Sequence, residues 1–457
     1  MKFHTTLLGL SLFNTALSLP SLADDSSLQP RLSEWRSHGL LRIDLADPRL
    51  DEKLISPEVA GQTGLLDFNL TGKRQLFEGL TFQADVDAFA RRSWNFSKRD
   101  PQTRAVVTTQ GDTSENPAYR MALNEFYLNG EALAGYQYVV GKKRILWGTG
   151  FAANPTDLLN PTKNPLDPTY ERRGAWLMQA EHVQENQTFA FLFAPMVLED
   201  KNTLPTDFSH FRDADGERRA HYLFGTRWYR LLGGADVNFM AFYSERFKGD
   251  NAGTWKGGAS WSQILEAIHK QLEGHGEVII QRGSSRPNPF GESRLGVDEF
   301  YIKSLLGIRY DFENESSLVL EILHQGDGDS IADLEERLQK QIAALSRNPN
   351  LSAKTSDLFA NQIQMRNSLY LNWQRYKFND DVFLSWAVAH NLHDHSGYQG
   401  PILQWTPTQS ESFTLVANTD YTLKKDSGVQ LGNVGRRRVS ELNPVKSRFS
   451  FEFKSYF

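Results

Sequence analysis

The feature that most constrains the fold of this chain is a regular alternation of apolar and polar residues, repeated in short segments along most of its 457 residues. Leu80 to Arg91 is a clear example. Leu, Phe, Ala and Val occupy every second position, Thr, Gln and Asp lie between them, and Phe89 is the exception. A period of two places successive side chains on opposite faces of a β-strand. Similar segments begin near positions 222, 235, 272, 300 and 382, which predicts an all-β chain.

The length of these segments favours a membrane barrel over a soluble sandwich. Many run for about 9–11 residues, the length of a tilted strand that crosses a bilayer. Lipid offers no hydrogen bonds, so a sheet can span it only when closed. We therefore predict a closed antiparallel transmembrane β-barrel of about 16–18 strands with long extracellular loops. Tryptophans near the ends of apolar faces are candidates for the interfacial girdles: Trp147, Trp176, Trp228, Trp261, Trp373 and Trp386.

The N-terminus has the pattern of a secretory signal peptide. Lys2 precedes a mostly apolar stretch, and Ser21-Leu22-Ala23 forms a small-x-small cleavage site. We expect residues 1–23 to be the signal peptide and residues 24–457 to be one barrel domain. The absence of cysteine excludes disulfides, thiolate catalysis and a lipoprotein anchor, and it suits an oxidising compartment.

The C-terminus is the sharpest local feature. Phe449, Phe451 and Phe453 alternate with polar residues, and the printed sequence stops on Phe457. This arrangement resembles the signal by which Gram-negative outer-membrane proteins are recognised for assembly, although Ser455 departs from it. The resemblance implies the barrel-assembly machinery as a partner through Phe457. The alternative, an exposed edge strand of a soluble sheet, would invite aggregation.

One segment has helical spacing instead. Residues 329–346 place Ile331, Leu334, Leu338, Ile342 and Leu345 on one stripe, which predicts a helical insertion in a long extracellular loop. Two other long irregular stretches, 154–173 and 198–219, are also predicted to be loops.

Composition excludes several classes of function. No apolar run is long enough for a transmembrane helix, and the mean hydropathy is -0.49. A formal net charge of -5 gives no drive toward nucleic acid. Phosphate-binding glycine motifs and G-x-S-x-G are absent, so we expect no enzyme activity, no catalytic residues and no cofactor.

Charged residues on predicted inward faces and near one loop are candidates for the lining of a channel. Opposed charges there would set selectivity through the local field. The candidates are Asp85, Asp87, Lys143, Arg144, Asp157, Arg172, Arg173, Glu277 and Glu321. Each of them could equally be a solvated loop residue.

A basic run, Arg436-Arg437-Arg438, precedes the last strand and should lie outside the cell. It could contact lipopolysaccharide phosphates or attract anionic solutes, and a solvated face is the alternative. The cluster His390, His393, Asp394 and His395 matches no metal motif, and we expect no metal site.

One pattern begins with Gly141-Lys142 and continues with Trp147-Gly148, Asn154-Pro155-Thr156-Asp157 and Asn160-Pro161. In this pattern the chain resembles a group of large proteobacterial outer-membrane barrels. They are porin-like proteins of unknown function found near RND-type exporters and, more distantly, alginate-export barrels. Shorter resemblances are Gly257 to Trp261, Glu321 to Gly328 and Trp373 to Tyr376, with Gln325 replacing the usual Asn.

The resemblance implies passage of a solute across the outer membrane and leaves the solute unnamed. It also suggests an inner-membrane exporter system as a partner. We therefore expect a passive channel for a small or hydrophobic solute, in contact with outer-membrane lipid and lipopolysaccharide. An outer-membrane barrel enzyme of the lipase or protease type and a surface receptor are the alternatives.

Overall fold

The alternating segments form β-strands in the computed structural model. The structure describes residues 33–48, 59–99, 106–112, 118–133, 135–159, 174–196, 221–244, 254–283, 299–336, 338–339, 365–378, 381–423, 429–430, 436–437 and 445–457. The predicted signal peptide, residues 1–23, lies outside them, as does the predicted loop 198–219.

The first ten strands of the described chain are β1 (Ser33–Pro48), β2 (Val59–Phe77), β3 (Leu80–Arg99), β4 (Val106–Asp112), β5 (Ala118–Leu133), β6 (Tyr136–Lys143), β7 (Ala175–Gln184), β8 (Gln187–Met196), β9 (His221–Leu232) and β10 (Ala235–Ser244). The others are β11 (Thr254–Ile264), β12 (Leu272–Arg282), β13 (Phe300–Asp311), β14 (Ser316–Gln325), β15 (Asn367–Phe378), β16 (Val382–Asn391), β17 (Ser396–Thr408), β18 (Glu411–Thr422), β19 (Val429–Gln430), β20 (Arg436–Arg437) and β21 (Val445–Tyr456).

Consecutive strands pair antiparallel, and β21 closes the ring by pairing with both β18 and β1. The sheet has 19 described strands. One of these, β4, pairs only with the far end of β3, beyond the part that pairs with β5. Eighteen strands therefore form the ring, which confirms the predicted closed antiparallel barrel at the upper end of its expected size. The short strands β19 and β20 form a separate hairpin.

The connections at the two ends of the barrel differ in length. At the end where β1 begins and β21 finishes, the strands are joined by short turns, such as residues 78–79, 185–186 and 409–410. At the other end the connections include residues 144–174, 197–220 and 326–366. This asymmetry is typical of outer-membrane barrels.

The two faces of the wall have opposite polarity, as β21 shows. Phe449 and Phe451 are 51% and 42% exposed, whereas Ser450 and Glu452 between them are only 1% and 4% exposed. Exposed apolar side chains therefore point outward, and buried polar ones point into the barrel, the reverse of a soluble protein. Trp386 lies on the outer face near the middle of β16 and is 51% exposed, and its girdle role stays a prediction.

The structure corrects the prediction for Trp147. It was predicted to belong to a girdle, but it is 4% exposed and packs in an apolar cluster inside the barrel. Aromatic residues beside a strand look the same in sequence whether they face lipid or an inner cluster.

Helical structure in the predicted insertion 329–346 is described at residues 331–336 and 338–339. Leu334 and Leu338 are almost completely buried, so the apolar stripe faces protein there. Ser330 and Asp333 cap its start reciprocally, with each side chain accepting a hydrogen bond from the other's backbone N–H. Among the described residues, no helix is long and apolar enough to cross a membrane.

Candidate channel constriction

The chain after β6 turns into the barrel instead of leaving it. We call residues 144–159 the inner loop. Backbone amides of this loop reach Glu277 and Glu321, which lie near the middle of β12 and β14. Both side chains belong to the inward faces of their strands, because neighbouring Val278 and Ile322 are exposed on the outer face. The inner loop therefore lies inside the lumen at mid-height.

Glu277 is the main anchor of the inner loop. Its Oε1 accepts hydrogen bonds from the N–H groups of Thr149 and Gly150, at 2.6 and 2.7 Å, and from Asn154 Nδ2 at 3.2 Å. Its Oε2 accepts bonds from the backbone N–H and the hydroxyl of Thr156, at 3.0 and 2.7 Å. Five donors on one buried carboxylate form a strong, charge-assisted attachment.

Glu321 is a second anchor. It accepts hydrogen bonds from the N–H of Phe151 at 2.6 Å and of Ala152 at 2.7 Å, one on each oxygen. His275 Nε2 lies 2.9 Å from Oε1, and the ring of Phe151 packs edge-on to that of His275 at 5.2 Å. Both His275 and Glu321 are at most 1% exposed, so this pair is held inside the protein.

Two glycines provide the room for these contacts. A Cβ at Gly148 would lie 2.7 Å from Glu277 Oε1, closer than a real Cβ approaches. A Cβ at Gly307 would overlap the His275 ring and lie 2.8 Å from Glu321 Cγ. Glycine at these positions permits close approach of backbone and carboxylate.

Apolar packing holds the first part of the inner loop against the wall. Ile145 and Trp147 are buried in a cluster on the inward faces of β5 to β10, and the rings of Trp147 and Phe242 lie 5.4 Å apart. The Arg227 guanidinium lies 5.4 Å from the Trp147 ring centre and 3.3 Å from Glu181 Oε1. The other members of the cluster are Tyr127, Val139, Leu177, Ala190, Leu192, Ala194, Leu223 and Met240, with Leu158 and Leu159 packed against it.

The tip of the loop extends the contact further round the ring. Phe151 and Ala152 pack against Val319, Tyr370 and Ala387 of β14, β15 and β16. We call the inward faces of β6 to β16 the covered wall, because the inner loop lies along this sector.

The wall across the lumen carries a cluster of polar and charged side chains. We call the inward faces of β21, β1, β2 and β3 the facing wall. Asn69 donates a hydrogen bond to each of Asp85 and Asp87, both at 2.6 Å. Asn124, next to a bulge in β5, donates to the same two carboxylates. Asp85 and Asp87, both predicted from the sequence, therefore lie together in one cluster.

An ion network continues the facing wall. Arg42 lies 2.8 Å from Asp44 and 3.1 Å from Glu452, which joins β1 to the last strand. In a ring of eighteen strands, half a turn is nine strands, and β12 is the ninth strand after β2. The Glu277 anchor is thus diametrically opposite the facing wall.

The predicted basic residues Lys143 and Arg144 lie at the base of the inner loop. The Lys143 amine is 5.0 Å from the centre of the Tyr127 ring, and the Arg144 N–H donates to Glu125 Oε1 at 2.9 Å. Asp157 lies at the far side of the loop, where its N–H closes a turn on the Asn154 carbonyl oxygen. The structure therefore gathers Lys143, Arg144, Asp157, Glu277 and Glu321 around one loop.

Other predicted residues cannot be placed. Arg172, Arg173 and Arg438 lie outside the described residues. Arg436 and Arg437 form β20, and their side chains are also outside the described part. Contact with lipopolysaccharide or anions by this run stays a prediction.

The histidine cluster lies at the loop end of β16 and β17. His390 Nδ1 is 2.9 Å from the Tyr421 hydroxyl, and Asp394 accepts bonds from Asn391 and Ser396. Burial and the positive charge of Arg366 lower the pKa of His393. Within the described ranges, no three His, Asp or Glu residues are arranged to hold a metal ion.

Sequence reasoning missed the roles of His275 and Asn124. His275 was visible only as one polar residue of an alternating face, and the bulge beside Asn124 has no sequence signal. Both roles depend on partners far away in the chain.

No protein-family model matches this chain, and no curated protein does. Similar solved structures include Salmonella typhi OmpF in complex with daunomycin, with a TM-score of 0.44, 7% identity and coverage of 93% of this chain and 97% of that one. Pseudomonas aeruginosa OccK11 (OpdR) has a TM-score of 0.49 and 8% identity, covering 93% and 96% of the two chains. A mutant of Rh. blastica porin has a TM-score of 0.40 and 10% identity, covering 93% and 100%. With TM-scores below 0.5, the barrel is established by this chain's own strand pairing.

Proposed function

We propose that the protein is a passive channel of the Gram-negative outer membrane, which admits small solutes through a lumen narrowed by the inner loop. The observation that carries this proposal is a closed ring with an apolar outer face and a polar interior, which holds at mid-height a loop anchored on Glu277 and Glu321. A closed ring satisfies its backbone hydrogen bonds in lipid, and a polar lumen accepts water.

The apolar outer face supports a location in the outer membrane. Export by a cleaved signal peptide, residues 1–23, and assembly by the barrel-assembly machinery through Phe457, next to the end of β21, are parts of the proposal. An inner-membrane exporter as a partner is supported only by the resemblance around Gly141 to Pro161. We assign the barrel no enzymatic step.

A cysteine test uses the absence of natural thiols in the chain. Thr71 faces the lumen, whereas its neighbour Leu70 faces outward. In planar bilayers the protein should give stepwise ionic currents. A charged, membrane-impermeant methanethiosulfonate should reduce the current of Thr71→Cys and leave that of the control Leu70→Cys unchanged.

Absence of current steps from folded protein would contradict the channel. Equal reaction of the two cysteines would contradict the assignment of the faces.

A further inference from the structure

We infer that the facing wall binds the apolar part of a zwitterionic solute during passage, at a patch formed by Leu40, Leu65 and Phe89. This inference rests on the proposed function and names the class of solute. All three residues break the alternation, because they lie on inward positions between outward apolar neighbours such as Leu41 and Leu66.

The three side chains lie around Asp67, which separates Leu40 from Phe89 in the strand register. Leu40 and Phe89 are both paired in register with Asp67 of β2, and Leu65 lies two residues from Asp67 on the same face. Diagonal neighbours across strands are about 7–8 Å apart, within reach of large side chains. The patch therefore extends across β1, β2 and β3.

Lipid does not explain these residues, because they face the lumen. Elsewhere on the inward faces, apolar side chains such as Ile279, Val319 and Val416 are 0–2% exposed and so lie against protein. Leu40, Leu65 and Phe89 keep intermediate exposure. Apolar surface left in water is unfavourable by roughly 25 cal/mol per Å², so its presence in a channel favours an apolar contact with the permeant.

The surrounding charges have both signs. Leu40 lies between Lys454 and Asp67 in the strand register, and Leu65 lies between Arg42 and Arg91. Acidic Glu452 and Asp87 complete the rim. Mixed charge within and around the patch complements a solute that carries both charges and an apolar group, as an amino acid with an apolar side chain does.

The patch also lies on the wall opposite the inner loop. The inner loop is anchored half a turn away, and its Leu146 is 57% exposed between the buried Ile145 and Trp147. Since Ile145 and Trp147 face the covered wall, Leu146 points away from it into the lumen. A solute that passes the inner loop must pass between it and the facing wall.

Uptake into proteoliposomes can test this with radiolabelled L-phenylalanine and L-glutamine, two zwitterions of similar length that differ in the apolarity of the side chain. Wild-type protein should admit phenylalanine roughly three- to tenfold faster than glutamine, by contact with the patch. The double variant Leu65→Ser/Phe89→Ser should lose most of this preference through slower phenylalanine uptake, with glutamine uptake retained. The control Phe89→Leu should keep the preference.

A ratio near one in the wild type, or the same ratio in the double variant, would overturn the inference while leaving the channel intact. For each variant, an ionic conductance equal to that of the wild type, measured in the same preparation, shows that the barrel has formed. No uptake of either amino acid, together with no ionic current, would instead overturn the proposed function.

Discussion

The covered wall and the facing wall are built from strands with the same alternating pattern, but their inward side chains have different roles. On the covered wall, Glu277 and Glu321 are occupied by backbone amides of the inner loop, and Trp147 fills an apolar cluster. On the facing wall, Asp85 and Asp87 are held by the amides of Asn69 and Asn124. Inward acids on one side therefore fix a loop, whereas those on the other stay in a polar surface.

We therefore expect the acids of the covered wall to have a structural role and those of the facing wall to act on ion selectivity. The five N–H and O–H dipoles of the inner loop partly offset the field of Glu277, whereas Asp87 of the facing wall lies beside the passage with fewer donors. Changes on the covered wall should alter the width of the channel, and changes on the facing wall should alter which ions it prefers.

The largest effect is expected from Glu277→Ala, which removes the acceptor of five hydrogen bonds. Buried donors left without partners cost about 1–3 kcal/mol each, so the docked inner loop should lose about 5 kcal/mol or more. We expect a larger and noisier single-channel conductance in planar bilayers. Glu273→Ala, on the same inward face of β12, is the control and should conduct like the wild type. Equal conductance of Glu277→Ala and the wild type would break the distinction between the walls.

A smaller effect is expected from Trp147→Ala, because the carboxylate anchors remain. Truncation of a buried tryptophan typically costs about 3–5 kcal/mol. It would also remove the Arg227 contact. Single-channel conductance should rise less than in Glu277→Ala. The control is Trp386→Ala on the outer face, which should leave conductance unchanged. If the two tryptophan variants behave alike, Trp147 does not hold the loop.

The sequence predicted the walls better than the loop. Alternation from Leu80 to Arg91 and from Phe449 to Phe453 assigns inward and outward faces correctly, because a period of two is local to each strand. The direction of the inner loop depends on contacts between Thr149 and Glu277, 128 residues apart in the chain, which no local pattern encodes. The predicted position of Trp147 in a girdle was wrong for that reason. Glu277 and Glu321 were recognised as interior acids, but their role as acceptors of backbone amides required the folded loop.

The smallest effect is expected on the facing wall, from Asp87→Asn. The amide keeps the size of the side chain, so the conductance should change little. Loss of one charge beside a water-filled passage removes about 1 kcal/mol of attraction for a cation at 4 Å and a similar repulsion for an anion, so the cation-to-anion permeability ratio should fall by about fivefold or more. Reversal potentials in a potassium chloride gradient measure this ratio. The fall should shrink at about 1 M salt, where the Debye length is only about 3 Å. Asp87→Glu, which retains the charge, should keep the wild-type ratio. An unchanged ratio in Asp87→Asn, or a conductance increase as large as that of Glu277→Ala, would show that the facing wall does not act through charge, and the separation of the two walls would fail.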